Sequence, residues 1–250
     1  MKTNHCAMLW ALPLCISLIF PFESTAQYGR LRTKQASSFN LVMGGDMAFR
    51  LLQSASEDAL TQEVLDRRNT LENYKFNLKF GLDYHLGFGR SYAFKMGLRY
   101  ANPGFSVDGV STWERNHEIN SEPWLQDHYG SNLTYNYQMV EIPLGIKFSA
   151  YRSTCQPYVE LGVAPTYYSK TIIREEKYDG TRTKTSRDEN LTRWNYVAFG
   201  TAGGNFSITK VLYGFTQIVA RYQLNELRTD YIRERLLGLG LECGLRVYLE

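Results

Sequence analysis

Between Tyr74 and Leu86 the chain changes character at every step: Tyr74, Phe76, Leu78, Phe80, Leu82, Tyr84 and Leu86 alternate with Lys75, Asn77, Lys79, Gly81, Asp83 and His85. A helix has no use for period two, whereas a strand places alternate residues on opposite faces of a sheet. The same rhythm runs through Phe39, Leu41, Met43, Met47 and Phe49, and through Tyr92, Phe94, Met96, Leu98 and Tyr100. It returns in Leu237, Leu239, Leu241, Cys243, Leu245, Val247 and Leu249, with Gly238, Gly240, Glu242, Gly244, Arg246 and Tyr248 between them. Four further stretches, 135–150, 157–173, 191–209 and 211–224, read as strands, although 198–204 alternates weakly. The pattern predicts eight strands and an all-β fold.

The connections alternate too. Short links lie near Gly89-Arg90, at 152–156 and near Lys210, and long ones at 53–73, 102–134, 174–190 and 225–233. In an up-and-down antiparallel meander that order gathers every long loop at one end and every short turn, with both chain ends, at the other. Outer-membrane barrels have this asymmetry.

Alternation alone does not say which face looks outward, because a soluble lipocalin-like barrel is oily inside and a membrane barrel inverts this. The polar face decides. It mixes glycines (Gly81, Gly97, Gly145, Gly162, Gly238) with charges of both signs: Asp46, Arg50, Lys79, Asp83, Lys95, Arg99, Glu141, Lys147, Glu160, Arg221, Glu242 and Arg246. Glycine adds no solubility to an exposed strand, but inside a narrow barrel it makes room for a long neighbour. Paired charges then fill the lumen, since an unpaired buried charge is costly. Tyr92 and Tyr100 lie on one oily face, about 27 Å apart at ~3.3 Å per residue. At a tilt of about 40° this spans roughly 20 Å of membrane, close to the separation of two aromatic girdles. The expectation is a single eight-stranded antiparallel up-and-down transmembrane β-barrel over residues 37–250, with 27–36 as a short lead. A soluble exported lipocalin-like carrier is the alternative with the faces reversed.

Composition agrees. The chain has 250 residues, 44% of them hydrophobic, with 18 Tyr and 20 Gly, enough apolar surface for a folded domain and a balance that favours strands and turns over a helical bundle. A net charge of +3 without a dense basic block lacks the electrostatic footprint of a nucleic-acid binder. At the N-terminus, Lys2, the apolar run from Ala7 to Phe22 and the Ser24-Thr25-Ala26 triplet read as a signal peptide cleaved after Ala26. Residues 1–26 are therefore expected to leave, taking Cys6 and Cys15 with them, and the protein is expected in a bacterial outer membrane. Cys155 and Cys243 remain; two cysteines make neither a disulfide framework nor a zinc site, and on this layout they lie too far apart to bridge.

The run Met139-Val140-Glu141-Ile142-Pro143-Leu144-Gly145-Ile146-Lys147-Phe148, followed by Gln156-Pro157-Tyr158-Val159-Glu160-Leu161-Gly162, resembles the PorT-like outer-membrane β-barrel domain of Bacteroidetes. Arg221-Tyr222 and the Gly-alternating last strand match the same pattern. Asn225 stands near a usual Gly, and the chain ends Leu249-Glu250 where an aromatic is usual. The resemblance implies an integral outer-membrane protein, and some relatives take part in protein secretion.

Motif chemistry is sparse. Gly238-x-Gly240-x-x-x-Gly244 lacks the spacing and the following helix of a dinucleotide loop, so its glycines read as small lumen residues and no cofactor is expected. Glu141 with Lys147, and Arg221 with Glu160 or Glu242, read as lumen ion pairs in a barrel too narrow for an open channel; Arg50, Asp83, Arg99 and Arg246 join them. The 102–134 loop holds Trp113, His117, Trp124 and His128, with Ser111 and Ser121 nearby. No G-x-S-x-G context surrounds either Ser and the His spacing suits no metal site. Trp113 and Trp124 therefore read as contact residues for a partner or for lipopolysaccharide. Ser54 with Glu57 forms a capping box ahead of Leu60, Val64 and Leu71, so a short helix over the barrel mouth is expected. The functional expectation is a membrane component without enzymatic activity, structural or linked to secretion or assembly. Its partners are outer-membrane lipid, lipopolysaccharide and envelope or secretion-machinery proteins. The enzymatic alternative is a lipid-modifying site in the 105–130 loop.

Overall fold

The computed structural model describes residues 37–54, 59–88, 91–108, 131–150, 155–177, 180–187, 191–229 and 232–249. The strands are β1 (Ser38–Ser54), β2 (Glu72–Phe88), β3 (Tyr92–Ala101), β4 (Gly104–Val107), β5 (Ser131–Glu141), β6 (Leu144–Ser149), β7 (Cys155–Lys177), β8 (Arg182–Arg187), β9 (Trp194–Ser207), β10 (Leu212–Gln223), β11 (Arg228–Thr229) and β12 (Ile232–Tyr248). One helix, α1 (Ala59–Leu71), lies between β1 and β2. All pairings are antiparallel, and β1 pairs both β2 and β12, so the sheet closes on itself and its first and last strands have no free edge.

Twelve strand segments replace the eight expected, for identifiable reasons. Pro103 and Pro143 each lack the N–H a ladder needs, which splits 92–107 into β3 and β4 and 131–149 into β5 and β6. Side chain and backbone bridge the first break, where Leu78 N donates to Asn102 Oδ1 at 3.1 Å and Tyr137 N to Pro103 O at 2.8 Å; at the second, Ile142 N donates to Pro165 O at 2.9 Å and keeps the β7 side paired. Only the break at Pro143 divides an expected strand; β4, the start of β5, β8 and β11 lie in stretches expected to be loops. β7 continues to Lys177 and turns back as β8, while β11 pairs two residues of β12. The helix expected near 60–71 is present, with Leu65 and Arg68 buried.

The direction of the two faces follows the period-two pattern. Leu78 (60%), Leu82 (61%), Leu161 (70%) and Leu239 (56%) are exposed on the outside, while Asp83, Lys95, Glu160 and Arg246 are each no more than 2% exposed within. In a water-borne protein such an exterior would be an aggregation surface; in a bilayer it is the lipid contact, and ladder closure satisfies the backbone. Aromatic pairs mark the band edges: Phe39–Tyr84 and Tyr92–Phe148 toward the short turns, Tyr167–Trp194 and Phe49–Tyr74 toward the other end. The dry apolar core is unusual in its place. Phe105, Leu133, Tyr135, Tyr137, Tyr168 and Leu227 cluster with neighbours inside the long-loop end, where the strands extend past the aromatic band.

Cys155 opens β7 opposite Phe206, and Cys243 lies on β12 opposite Met43 and Thr216. β9 and β10 separate the two strands, at ~4.8 Å per strand spacing. The expected leader and the loop residues Ser111, Trp113, His117, Ser121, Trp124 and His128 lie outside the described residues.

Candidate functional site

The inward side chains stack in layers along the barrel. At the long-loop end, Arg50 Nε donates to Glu72 Oε2 at 2.7 Å and Arg50 Nη1 to Glu234 Oε2 at 3.2 Å. Arg68 Nε, from α1, reaches Glu72 Oε1 at 3.0 Å, and the Arg50 guanidinium lies 3.6 Å from the centre of the Phe105 ring. The helix is therefore tied to the barrel by a buried charge network beneath the apolar cluster. Tyr137 adds a hydroxyl bond to Glu234 at 3.0 Å.

One layer down, Lys79 pairs with Asp46, which also accepts from Asn77 Nδ2 at 3.2 Å. Arg221 Nη2 lies 2.5 Å from Glu141 Oε2. A cavity of about 30 Å³ opens here between Asp46, Lys79, Glu141 and Arg221, room for one or two waters.

Below it, Arg99 holds two carboxylates. Its Nε and Nη2 bind Asp83 at 3.0 and 2.5 Å, and Nη1 binds both oxygens of Glu242 at 2.9 and 3.0 Å. Gly81 faces Arg99 directly across the ladder, and a Cβ at that position would stand 2.5 Å from Arg99 Cγ. Gln217 Nε2 donates to Glu242 Oε2 at 2.6 Å, and Gln217 Oε1 accepts from the Tyr158 hydroxyl at 2.7 Å. Lys95 pairs with Glu160 and lies 3.4 Å from Asp83.

At the short-turn end, Arg246 donates to Asn40 Oδ1 at 2.8 Å and to Asn205 Oδ1 at 2.7 Å. Lys147 Nζ sits 3.9 Å from the Tyr158 ring centre.

The structure gathers Arg50, Asp83, Arg99, Glu141, Lys147, Glu160, Arg221, Glu242 and Arg246 in one lumen, but it pairs them differently from the sequence expectation. Glu141 binds Arg221 and not Lys147, while Glu160 and Glu242 go to Lys95 and Arg99. Glu141 and Lys147 stand six positions apart along one stretch of wall, about 20 Å at ~3.3 Å per residue, beyond ion-pair reach. Sequence reading missed Glu72, Glu234, Arg68 and Tyr158 as lumen groups. Glu234 was reachable by counting back in twos from Gly238, whereas Glu72 precedes the alternation and gave no signal.

The chemistry on offer is structural. Each carboxylate of the middle layers meets a cation, and among the described residues no group of His, Cys, Asp and Glu side chains is arranged to hold a metal ion. Among the described residues no helix is long and apolar enough to cross a membrane, which says nothing against crossing by strands.

Comparison with solved structures finds distant likenesses. Neisserial surface protein A shares 10% identity, with 86% of this chain and 100% of that chain covered and a TM-score of 0.44. The outer membrane protein OprG of Pseudomonas aeruginosa shares 8%, with 87% and 97% covered and a TM-score of 0.49. The attachment invasion locus protein Ail of Yersinia pestis shares 12%, with 85% and 99% covered and a TM-score of 0.35. No curated protein matches the sequence. The family profile described as "Outer membrane protein beta-barrel domain" matches residues 30–220. With a closed antiparallel sheet, an apolar exterior and a charged interior already in place, that match over most of the chain assigns it: the protein belongs to the outer-membrane β-barrel domain family and resides in a bacterial outer membrane.

Proposed function

We propose that this protein is an eight-stave, plugged and non-catalytic barrel of the PorT-like kind, exported with a leader cleaved after Ala26. It acts at its outer rim as a structural or secretion- and assembly-associated component of the envelope. The observation that carries this reading is the filled bore. Ion pairs from Arg50 to Glu242 occupy the interior, and the apolar cluster around Phe105, Tyr137 and Leu227 closes it at the long-loop end. Paired charges at this packing leave room for a water or two but no aqueous path for a solute.

Eight staves follow if β3 with β4, and β5 with β6, each count as one interrupted strand, with β8 and β11 as appendages. A barrel of eight is just wide enough for side chains to fill. The working surfaces then lie beyond the membrane. We assign that role to the β7–β8 hairpin, whose β8 side chains are all exposed, and to Trp113 and Trp124 of the long loop, with lipopolysaccharide and envelope or secretion-machinery proteins as the partners.

The test combines reconstitution with complementation. In planar bilayers the purified protein is expected to give no steady ion conductance. In a null strain of its own host, a chain lacking 109–130 is expected to stay in the outer membrane, shift mobility on heating and fail to restore the envelope phenotype. Steady conductance, or full complementation by the loop-deleted chain, overturns the proposal.

A further inference from the structure

The short-turn end of the lumen differs from the rest in one respect: its cations outnumber the carboxylates able to meet them. Lys95, Arg99, Lys147 and Arg246 share the region with Asp83, Glu160 and Glu242. All three carboxylates are engaged, Asp83 and Glu242 by Arg99 and Glu160 by Lys95. Lys147 is 0% exposed, and its ammonium makes no hydrogen bond among the described residues. Arg246, 2% exposed, hydrogen-bonds among the described residues only to the neutral side-chain oxygens of Asn40 and Asn205. Glu160 stands opposite Lys147 in the β6–β7 ladder but its carboxylate is engaged by Lys95, and a buried ammonium without a carboxylate in contact costs several kcal/mol.

The orphaned groups converge. Lys147 Nζ and the Arg246 guanidinium approach the same Tyr158 ring, at 3.9 and 5.5 Å from its centre. Ser149 stands directly opposite Tyr158 in the ladder, and its hydroxyl has no partner. Asn205 gives its oxygen to Arg246 and leaves its amide nitrogen unbonded. His85, 2% exposed, lies within electrostatic reach of Arg246 and Lys147 and has no partner at either ring nitrogen. Nearer the long loops, Arg50, Arg68, Lys79 and Arg221 each meet a carboxylate, whereas this layer offers donors and positive charge together.

We infer that the short-turn end of the lumen holds a site for a small monovalent anion of chloride size, bound between Lys147, Arg246, Ser149 and the amide of Asn205, with His85 donating from the facing wall. The anion supplies the missing counter-charge and meets donors that would otherwise stay unsatisfied within the wall. The site rests on the barrel fold alone and not on any role for the outer loops.

The experiment is urea unfolding of the full chain refolded in micelles, with potassium chloride exchanged for potassium gluconate at constant ionic strength. The folding equilibrium constant is expected to rise linearly with chloride from its gluconate value, by about tenfold when chloride reaches ten times its dissociation constant. Lys147→Met, which keeps the side-chain length and removes the charge, is expected to fold, shift on heating and respond to chloride less than twofold. Ser149→Ala removes one donor and is expected to weaken the chloride response several-fold while leaving the gluconate midpoint nearly unchanged. A flat response of the wild-type chain makes the region a hydrated pocket only and overturns the inference. So does a Lys147→Met chain with the wild-type chloride dependence, which places binding elsewhere.

Discussion

Glu141 and Arg221 meet across the lumen at 2.5 Å, each buried, although they lie on strands that are not neighbours in the sheet. Glu141 opens the Glu-Ile-Pro-Leu run and Arg221 opens the Arg-Tyr pair, so two short sequence signatures far apart in the chain are the two ends of one ion pair. Removing either partner leaves the other charge buried and alone. Glu141→Gln and Arg221→Met are each expected to destabilise the barrel by about 3–5 kcal/mol, and the double substitution by less than the sum. Urea unfolding in micelles, run as a double-mutant cycle, checks this; additive losses would show that the pair does not act as one unit.

Arg99 reaches Asp83 and Glu242 only because Gly81 lies opposite it. A methyl group at 81 would press on the Arg99 Cγ and on β3 backbone. Gly81→Ala is expected to cost about 1–3 kcal/mol, the usual range for overpacking, and Gly81→Val more. The same substitution at Gly180, where no atom lies near the new Cβ but φ is +84°, disturbs only the β7–β8 turn. Comparing the two midpoints separates crowding in the lumen from backbone strain in a turn.

Period-two alternation made the barrel wall legible, since Phe39 to Phe49 and Leu237 to Leu249 declare a lipid face residue by residue. It told less about pairings inside. Strand rise alone keeps Glu141 from Lys147, six positions along the same stave, but which cation across the bore Glu141 meets depends on the shear of the closed sheet, which sets the strands' relative heights and leaves no trace in any single strand. The break at Pro143 was equally hidden, since it sits within a run read as one strand, 135–150, where the ladder has two; past Pro103 the sequence read a loop where β4 lies. The extension beyond the membrane band was invisible for a different reason. Arg182 to Arg187 is exposed on every residue, so β8 carries no alternation at all and reads as a loop. Glu72 shares that fate, since it enters the lumen through a bond to Arg50 and not through its place in a pattern.

Leu239 is 56% exposed on the outer face, opposite Met47 and Ala220 and well inside the aromatic band. Leu239→Arg is expected to cost about 2–4 kcal/mol in a lipid bilayer, whereas Phe39→Arg, at the short-turn boundary, is expected to cost about 0–1 kcal/mol. Reversible unfolding from liposomes gives both values. Equal costs at the two depths would mean that the outer face is not graded by membrane depth, and the assignment of the greasy side to lipid would fail.

Pro143 offers the opposite kind of test, one where a substitution is expected to help. The register runs Arg99 with Glu141 and Met96 with Leu144, which sets position 143 opposite Gly97. Ile142 N–H already points the other way, to Pro165 O on β7, so the next N–H along the stave would face Gly97 O. Proline removes that donor, leaving an interruption in the wall between β3 and the β5–β6 stave at membrane depth. Pro143→Ala is expected to restore one ladder bond and raise stability by about 0.5–1.5 kcal/mol, with slower amide exchange at Leu98 and Ala164 on the two flanking strands. If the substitution instead lowers stability, the break is held by packing of the proline ring against Arg99 and Phe199, which line the small cavity behind it, and the wall is tuned for that contact and not for a continuous ladder.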